Sequence, residues 1–164
     1  MKIYDAVANA FVKEGTTAVF GLLGDGNMLW SLAMSKHASV KIIDARHEGA
    51  ALSMAEGWAR ATGKVGVCSV THGPGISRIT TSLIAATRSR VPVVVYTSRS
   101  AFNNERINQY LEQERLVKCD RRRIYRGISA VICGKFSAQG VLRCQGGVTA
   151  DCFVLSHGYP GQGM

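Results

Sequence analysis

Apolar and polar positions alternate along the first two thirds of the chain in a pattern that predicts strands and helices in turn. Short, nearly continuous apolar runs at residues 18–21, 40–44, 65–71 and 91–96 indicate strands that are covered on both faces. Before and between these runs, apolar residues recur at helical spacing over residues 6–15, 28–37, 48–62 and 75–88. We therefore predict an α/β fold, with a parallel sheet and helices on both of its faces.

The length and composition of the chain fit one domain. It has 164 residues, of which 46% are hydrophobic, enough for one compact core and too few residues for two ordinary domains. No apolar stretch approaches the roughly 18 residues that span a bilayer, and the first residues lack the cationic and apolar segments of a signal peptide. We expect a cytoplasmic protein with no membrane partner.

Charge and cysteine content change near residue 118. Residues 1–118 contain 14 Lys or Arg against 9 Asp or Glu, whereas residues 119–164 contain 6 against 2. Cys68 precedes this break, and four cysteines follow it: Cys119, Cys133, Cys144 and Cys152. Their spacing matches no zinc or redox pattern. We expect residues 1–118 to form the domain and residues 119–164 to form a basic, Cys- and Gly-rich tail.

Two segments carry candidate chemistry. Glu48 begins a helix just after a predicted strand, and a carboxylate at the carboxyl end of a parallel strand points into the crevice where such sheets bind ligands. The alternative is a helix-start residue that complements the macrodipole. The sequence Thr-His-Gly-Pro-Gly at residues 71–75 follows another strand and predicts a tight turn that a flat ligand can approach closely. The alternative for His72 is a solvated loop histidine.

Five segments together resemble the amino-terminal, pyrimidine-binding domain of thiamine-diphosphate-dependent enzymes, and look most like the acetolactate synthase and benzoylformate decarboxylase branch. They are the Phe-Gly-x-x-Gly sequence at residues 20–24, the helix region 46–60, residues 63–67, the Thr-x-Gly-Pro-Gly sequence at 71–75 and the strand at 92–95. Residues 108–113 are similar to a family stretch that carries a cofactor-proximal Gln. The resemblance covers residues 1–118 and implies the thiamine-diphosphate-binding fold.

The resemblance also implies roles for individual residues. Glu48 would be catalytic, because the matching Glu hydrogen-bonds a ring nitrogen of the cofactor's aminopyrimidine and favours the tautomer that deprotonates the thiazolium carbon. The resulting ylid attacks a 2-keto acid, and the cofactor acts as electron sink. The implied cofactor-binding residues are Gly24, Glu48, Thr71, His72, Gly73, Pro74, Gln109 and Gln113. Gln109 or Gln113 would lie near the substrate, and His72 replaces the Ser or Gly often found at its position.

Only half of a cofactor site is implied. The enzymes of this family hold the diphosphate and Mg²⁺ on a separate domain, through a Gly-Asp-Gly sequence followed by an Asn pair. Here Gly-Asp-Gly at residues 24–26 lies in the loop after the first strand, and no Asn pair follows at the required distance. We expect thiamine diphosphate as cofactor, Mg²⁺ only through another domain or a partner, and no metal ligand in this chain.

The tail departs from the family pattern after Lys118. Codons can be written for residues 119–126 that, read one nucleotide later, encode the family-like sequence Ala-Thr-Gly-Ala-Gly-Tyr-Ile, and residues 148–154 can be coded so that the shifted frame gives a strand-like sequence. This favours a frameshift, with residues 119–164 out of frame and disordered. A native, divergent extension is the alternative.

These observations predict the pyrimidine-binding half of a 2-keto-acid decarboxylase or carboligase. We expect the chain to be truncated and inactive alone. A homo-oligomer or a diphosphate-binding partner chain would complete it. The alternative is a stand-alone binding subunit of a split thiamine-diphosphate enzyme. The formal charge of +9 raises a third possibility, nucleic-acid binding through residues 121–123. Because the basic excess is concentrated in the tail, we predict no nucleic-acid partner.

Overall fold

The computed structural model describes residues 2–99, 108–117, 124–126 and 149–155. Its strands are β1 (Ala18–Gly21), β2 (Lys41–Asp44), β3 (Gly66–Ser69), β4 (Val93–Arg99), β5 (Ile124–Arg126) and β6 (Thr149–Leu155). Its helices are α1 (Ile3–Lys13), α2 (Met28–Ser35), α3 (Glu48–Thr62), α4 (Pro74–Arg78), α5 (Thr80–Arg88) and α6 (Gln113–Val117). Strands and helices alternate up to β4, as the sequence predicts.

The order of the strands creates a place for a ligand. The sheet order is β2-β1-β3-β4-β6-β5, and β1 to β4 run parallel to one another. The chain leaves β1 towards β2 on one side and then returns past β1 to form β3 on its other side. The direction of winding therefore reverses between β1 and β3, which is where open α/β sheets bind ligands at the carboxyl ends of their strands.

Side chains of the central strands alternate between two cores on opposite faces of the sheet. On one face, Phe20, Cys68 and Val95 pack against buried residues of α3, α4 and α5. On the other face, Val19 and Val94 pack against α1 and α2. Helices therefore cover both faces, which confirms the predicted fold class and explains why the strands read as continuous apolar runs.

An aromatic cluster holds the α1–α2 layer against the sheet. The rings of Trp30 and Tyr96 are stacked, with centroids 4.1 Å apart and planes 18° from parallel. Phe11 of α1 meets Trp30 edge-on at 5.1 Å. Because Trp30 lies in the first turn of α2, this packing also fixes where the loop between β1 and α2 meets the helix.

Local signals define both ends of α3. His47 is the N-cap, and its Nδ1 accepts a hydrogen bond from the backbone N–H of Gly49 at 3.1 Å. Gly63 ends the helix in the left-handed conformation, with φ of 69°. The helix also lies directly on β3, because a Cβ on Gly66 would collide with the carbonyl group of Ala55. This contact sets the position of the helix start at the edge of the sheet.

The single helix predicted over residues 75–88 is two helices in the structure. α4 ends at Arg78 and α5 begins at Thr80, with Ile79 between them. Ile79 is fully buried, and the hydroxyl of Thr80 donates to the carbonyl of Ser77 at 2.6 Å. A side chain that bonds back to the preceding turn competes with the helical backbone ladder, which accounts for the break.

Two strands lie in the segment expected to be a disordered tail. β6 pairs antiparallel with the whole of β4, and β5 pairs antiparallel with β6. The expectation of disorder therefore differs from the structure at these two strands. The physical reason is that β4 would otherwise present an unpaired edge, and residues 152–155 supply an apolar run that can pair with it. The other tail residues lie outside the described residues, and for them disorder stays a prediction.

Within the described parts of the chain, no helix combines the length and the apolar character that a bilayer span requires.

Candidate functional site

The loops after β1 and β3 touch at the carboxyl edge of the sheet. The backbone N–H of Gly26 donates to the hydroxyl of Thr71 at 3.2 Å. A Cβ on Gly24 would lie only 2.7 Å from Cβ of Thr71, so this close approach requires glycine. The structure therefore brings together two of the residues that the sequence places in the cofactor site, Gly24 and Thr71, at the reversal point of the sheet.

Asn27 holds this edge together and was missed by the sequence analysis. It is 1% exposed, and its Oδ1 accepts from the backbone N–H of Gly24 at 2.8 Å. Its Nδ2 donates to the carbonyl of Leu22 at 3.1 Å and to the hydroxyl of Ser69 at 2.9 Å. Asn directly before a helix suggests an N-cap. Here, however, its side chain makes no capping bond and stabilises the loop instead.

Glu48 is the first residue of α3 and lies at the same edge of the sheet. The residue is 7% exposed, although carboxylates are rarely buried without a partner. Its Oε2 is buried and makes no hydrogen bond to any described residue. A buried carboxylate oxygen without a hydrogen bond costs free energy of folding, so it marks a position where a ligand can supply the missing donor.

Arg78 is the charged neighbour of Glu48, and no sequence motif marks it as a site residue. Its Nη1 lies 3.7 Å from Oε2 of Glu48, which is an ion-pair distance but too long for a hydrogen bond. Arg78 ends α4, which begins directly after Gly73. The ion pair therefore links Glu48 to the short helix that follows the turn at Gly73.

His72 lies in the loop after β3 and is held by the end of β4. Its Nδ1 lies 2.8 Å from the hydroxyl of Ser98. Burial lowers the pKa of His72 below its ordinary value, and the nearby charge of Asp25 opposes this effect. A Cβ on Gly26 would collide with both His72 and Ser98, so the backbone of the first loop packs directly on the pair.

Gly73 makes the turn of this loop possible. Its φ is 64° and its ψ is −108°, a conformation that L-residues rarely adopt. A Cβ at this position would collide with the backbone carbonyl of Gln109. Pro74 follows as the first residue of α4 and is exposed. The segment that contains Gln109 therefore approaches the β3 loop through its backbone, and the Gln109 side chain is half-buried.

The two Gln side chains differ in their surroundings. Gln113 is 1% exposed, and its Nε2 donates to the backbone carbonyl of Ser98 at 2.9 Å. Ser98 thus contacts His72 through its hydroxyl and Gln113 through its carbonyl. This bond gives Gln113 a role in holding the edge, and its contact with a substrate stays a prediction. Ser98 itself was not singled out from the sequence, where it is one serine at the end of an apolar strand.

The residues present at this edge suit a flat, nitrogen-containing ring. Gly24 and Gly73 let the loops after β1 and β3 pack closely at this edge, and Glu48 offers a buried acceptor oxygen there. An aminopyrimidine presents ring nitrogens and an exocyclic amine that match this set of groups. Among the described residues, no cluster of three or more His, Cys, Asp or Glu side chains could hold a metal ion.

A parallel α/β sheet with glycine loops and a buried carboxylate at the carboxyl edge of its strands defines a small-ligand-binding domain. Residues 1–120 match the family model described as the thiamine pyrophosphate enzyme, N-terminal TPP binding domain. The chain belongs to this family, which confirms the resemblance read from the sequence.

Comparisons with individual proteins agree with the family. The chain is 38% identical to the glyoxylate carboligase of Escherichia coli O157:H7 over 101 residues, 61% of this chain and 17% of that protein. It is 36% identical to chloroplastic acetolactate synthase 2 of Nicotiana tabacum over 95 residues, 58% of this chain and 14% of that protein. The chain therefore spans less than a fifth of the length of these relatives.

A solved structure shares the fold. The thiamine diphosphate-dependent 4-hydroxybenzoylformate decarboxylase of Rhodococcus jostii RHA1 superposes with a TM-score of 0.66 and 21% sequence identity. The match covers 73% of this chain and 23% of that one. At this identity the likeness supports the fold alone.

Proposed function

We propose that this chain binds the aminopyrimidine of thiamine diphosphate at the carboxyl edge of β1 and β3, as the pyrimidine-binding half of a 2-keto-acid decarboxylase or carboligase. The observation that carries the proposal is the buried Oε2 of Glu48, which has no hydrogen-bond partner among the described residues. A ring nitrogen that shares a proton with this oxygen would remove the cost of burying it.

Other residues of the edge would orient the ring. Asn27 holds the first loop in place through three hydrogen bonds, and Gly24 lets that loop lie directly against Thr71 of the β3 loop. When bound, the cofactor supplies an electron sink for decarboxylation of a 2-keto acid. Glu48 would hold or move the proton at the ring nitrogen, which is the step that this chain contributes.

The proposal includes a second component for the cofactor's charged end. In the enzymes that the chain resembles, the diphosphate and Mg²⁺ are held by a separate domain with oxygen ligands. A partner subunit or another domain would supply these ligands here, either in a homo-oligomer or from a separate chain. We therefore expect this chain alone to bind thiamine diphosphate weakly and to show no decarboxylase activity.

The binding site can be tested on the chain itself by NMR. We would titrate the labelled chain with thiamine diphosphate and Mg²⁺ and follow the backbone amides. We expect the amides of Gly49 and Gly73 to shift with a weak, millimolar dissociation constant. Glu48→Gln should weaken the shift, because an amide cannot share a proton with the ring nitrogen as a carboxyl group can. Glu56→Gln is the matched control on α3, since Glu56 is engaged with Arg60 at 2.7 Å.

Several outcomes would contradict the proposal. Shifts that map elsewhere, or that persist unchanged in Glu48→Gln, would place the cofactor outside this edge. No shift at millimolar cofactor would mean that the chain does not bind the aminopyrimidine. Micromolar, Mg²⁺-dependent binding by calorimetry would show that the diphosphate site does not need a second component.

A further inference from the structure

The hydroxyl group of Ser98 has a single hydrogen-bond partner in the described part of the chain. Ser98 is 1% exposed, at the end of β4, and its Oγ lies 2.8 Å from Nδ1 of His72. The side chains of Thr97 and Gln113 donate to its backbone carbonyl and not to its hydroxyl. Among the described residues, the hydroxyl proton therefore has one acceptor, Nδ1 of the imidazole.

This geometry determines where the imidazole carries its proton. If Nδ1 were protonated, it would donate to Ser98, and the buried hydroxyl proton would have no acceptor among the described residues. Leaving a buried donor without a partner costs free energy of folding. If the hydroxyl donates to Nδ1, the Ser98 hydroxyl and Nδ1 of His72 satisfy each other, and the neutral ring carries its proton on Nε2. Burial also disfavours the charged imidazolium, in agreement with this state.

The other side of the ring is available to a ligand. Nε2 of His72 makes no hydrogen bond to any described residue, and the residue is only half-buried. The ring is also held in place, because the backbone of Gly26 leaves no space beside Nδ1 and Ser98. His72 is next to Gly73, in the loop that the proposed cofactor site shares with Thr71. A rigidly held N–H donor therefore lies in this loop.

We propose that Ser98 fixes His72 as the neutral tautomer with its proton on Nε2, and that this N–H donates a hydrogen bond to an oxygen atom of the 2-keto acid. The inference rests on the proposed function, because it takes the substrate to lie beside the cofactor in this loop. A neutral donor suits a keto acid: it can bind a carbonyl or carboxylate oxygen without itself needing protonation. Ser98 is a positioning residue, and His72 is the group that contacts the substrate.

The tautomer can be measured directly in the chain. Two-dimensional NMR that correlates imidazole nitrogens with ring protons distinguishes the two neutral tautomers and the imidazolium, and His72→Gln assigns the signals. We expect His72 to be predominantly the Nε2–H tautomer at pH 7. Ser98→Ala should give a mixture of tautomers, whereas Ser31→Ala, a buried serine of α2 without a bond to His72, should leave the signals unchanged. An Nδ1–H tautomer or an imidazolium at pH 7 would overturn the inference.

The contact with substrate is tested with pyruvate as the simplest 2-keto acid. We expect pyruvate to shift the Nε2 signal of His72 saturably, and Ser98→Ala to weaken this response several-fold. Propionate has the carboxylate but lacks the keto oxygen, so a response to pyruvate alone assigns the keto oxygen as the acceptor and an equal response to both assigns the carboxylate. No response to pyruvate, or an equal response in Ser98→Ala, would overturn the role of His72. The NMR shift of the Gly49 amide on addition of thiamine diphosphate tests the proposed function separately. Failure of one proposal can therefore be distinguished from failure of the other.

Discussion

Nη1 of Arg78 lies 3.7 Å from Oε2 of Glu48, an ion pair that joins the last residue of α4 to the first residue of α3. The two partners have unlike surroundings, because the side chain of Arg78 is 60% exposed and that of Glu48 is 10% exposed. The guanidinium group can therefore leave the pair with little loss of buried surface, whereas the carboxylate stays at the sheet edge. A loosely paired carboxylate of this kind can exchange Arg78 for a ligand.

This pair should contribute little to stability. We expect Arg78→Met to lower the free energy of unfolding by about 1 kcal/mol or less, since the cation is largely solvated. Glu48→Gln should leave the free energy unchanged or raise it slightly, because an amide is easier to bury than a carboxylate. Urea denaturation of both single variants and of the double variant measures the coupling free energy between Glu48 and Arg78. The Glu56–Arg60 pair on α3 is the control cycle. A loss above about 3 kcal/mol in Glu48→Gln would show that Glu48 is a structural residue.

Gly73 should be far less tolerant of substitution than a helical glycine. Gly73→Ala places a Cβ on a residue with positive φ and against the carbonyl of Gln109. We therefore expect the free energy of unfolding to fall by about 1–3 kcal/mol or more. Gly57→Ala is the matched control, because Gly57 lies within α3 with nothing near its Cβ position. The free energy of unfolding of the Gly57→Ala variant should rise by about 0.5–1 kcal/mol, because alanine has a higher helix propensity than glycine. Equal effects in the two variants, measured by urea denaturation, would contradict the tight turn described for the β3 loop.

His72 should make stability depend on pH. Its pKa is lowered in the folded state, mainly by burial, so the unfolded chain binds more protons below the ordinary histidine pKa of about 6.5. The stabilising contribution is present above this pH and is lost as the pH falls towards the folded-state pKa. His72→Gln should therefore flatten the decline in unfolding free energy between neutral and mildly acidic pH. An unchanged slope would contradict the prediction, and His47→Gln, at the exposed N-cap of α3, is the control.

Cys68 should resist thiol reagents in the folded chain. It is fully buried in β3, and burial raises the pKa of its thiol, so both access and thiolate content are low. We expect Cys119, Cys133 and Cys144 of the predicted tail to react within the mixing time of a colourimetric assay, and Cys68 to react only at the rate of unfolding. A Cys68→Ala variant identifies the slow phase. Rapid reaction of all thiols in native buffer would contradict a packed core around β3.

Protease cleavage tests the prediction for the tail. If residues 119–164 are an unselected, disordered extension, limited proteolysis should cut first between residues 118 and 126. β5 and β6 pair with the edge of β4 in the structure, which would protect the segment that follows the cut. A tail that resists protease throughout would favour a native extension over a frameshift.

Sequence alone determined the fold class and the main candidate residue, because the relevant signals are local. The bounds of β1 and α3 are the same in prediction and structure. A short apolar run defines the strand, while His47, Glu48 and Gly63 mark the ends of the helix within a few residues. The position of Glu48 then follows from the rule that parallel strands present their carboxyl ends to a common edge.

Only the tertiary structure decided how the edge is held together. Ser98 contacts His72 across 26 positions of sequence, and Asn27 contacts Ser69 across 42. No local pattern predicts such bonds, because they depend on the order in which the strands lie side by side. The break of the helix at Ile79 has the same origin, since burial and a side-chain bond outweigh a continuous helical pattern. Sequence periodicity reports which face of an element is buried, but the partner on that face is chosen by the packing of the whole chain.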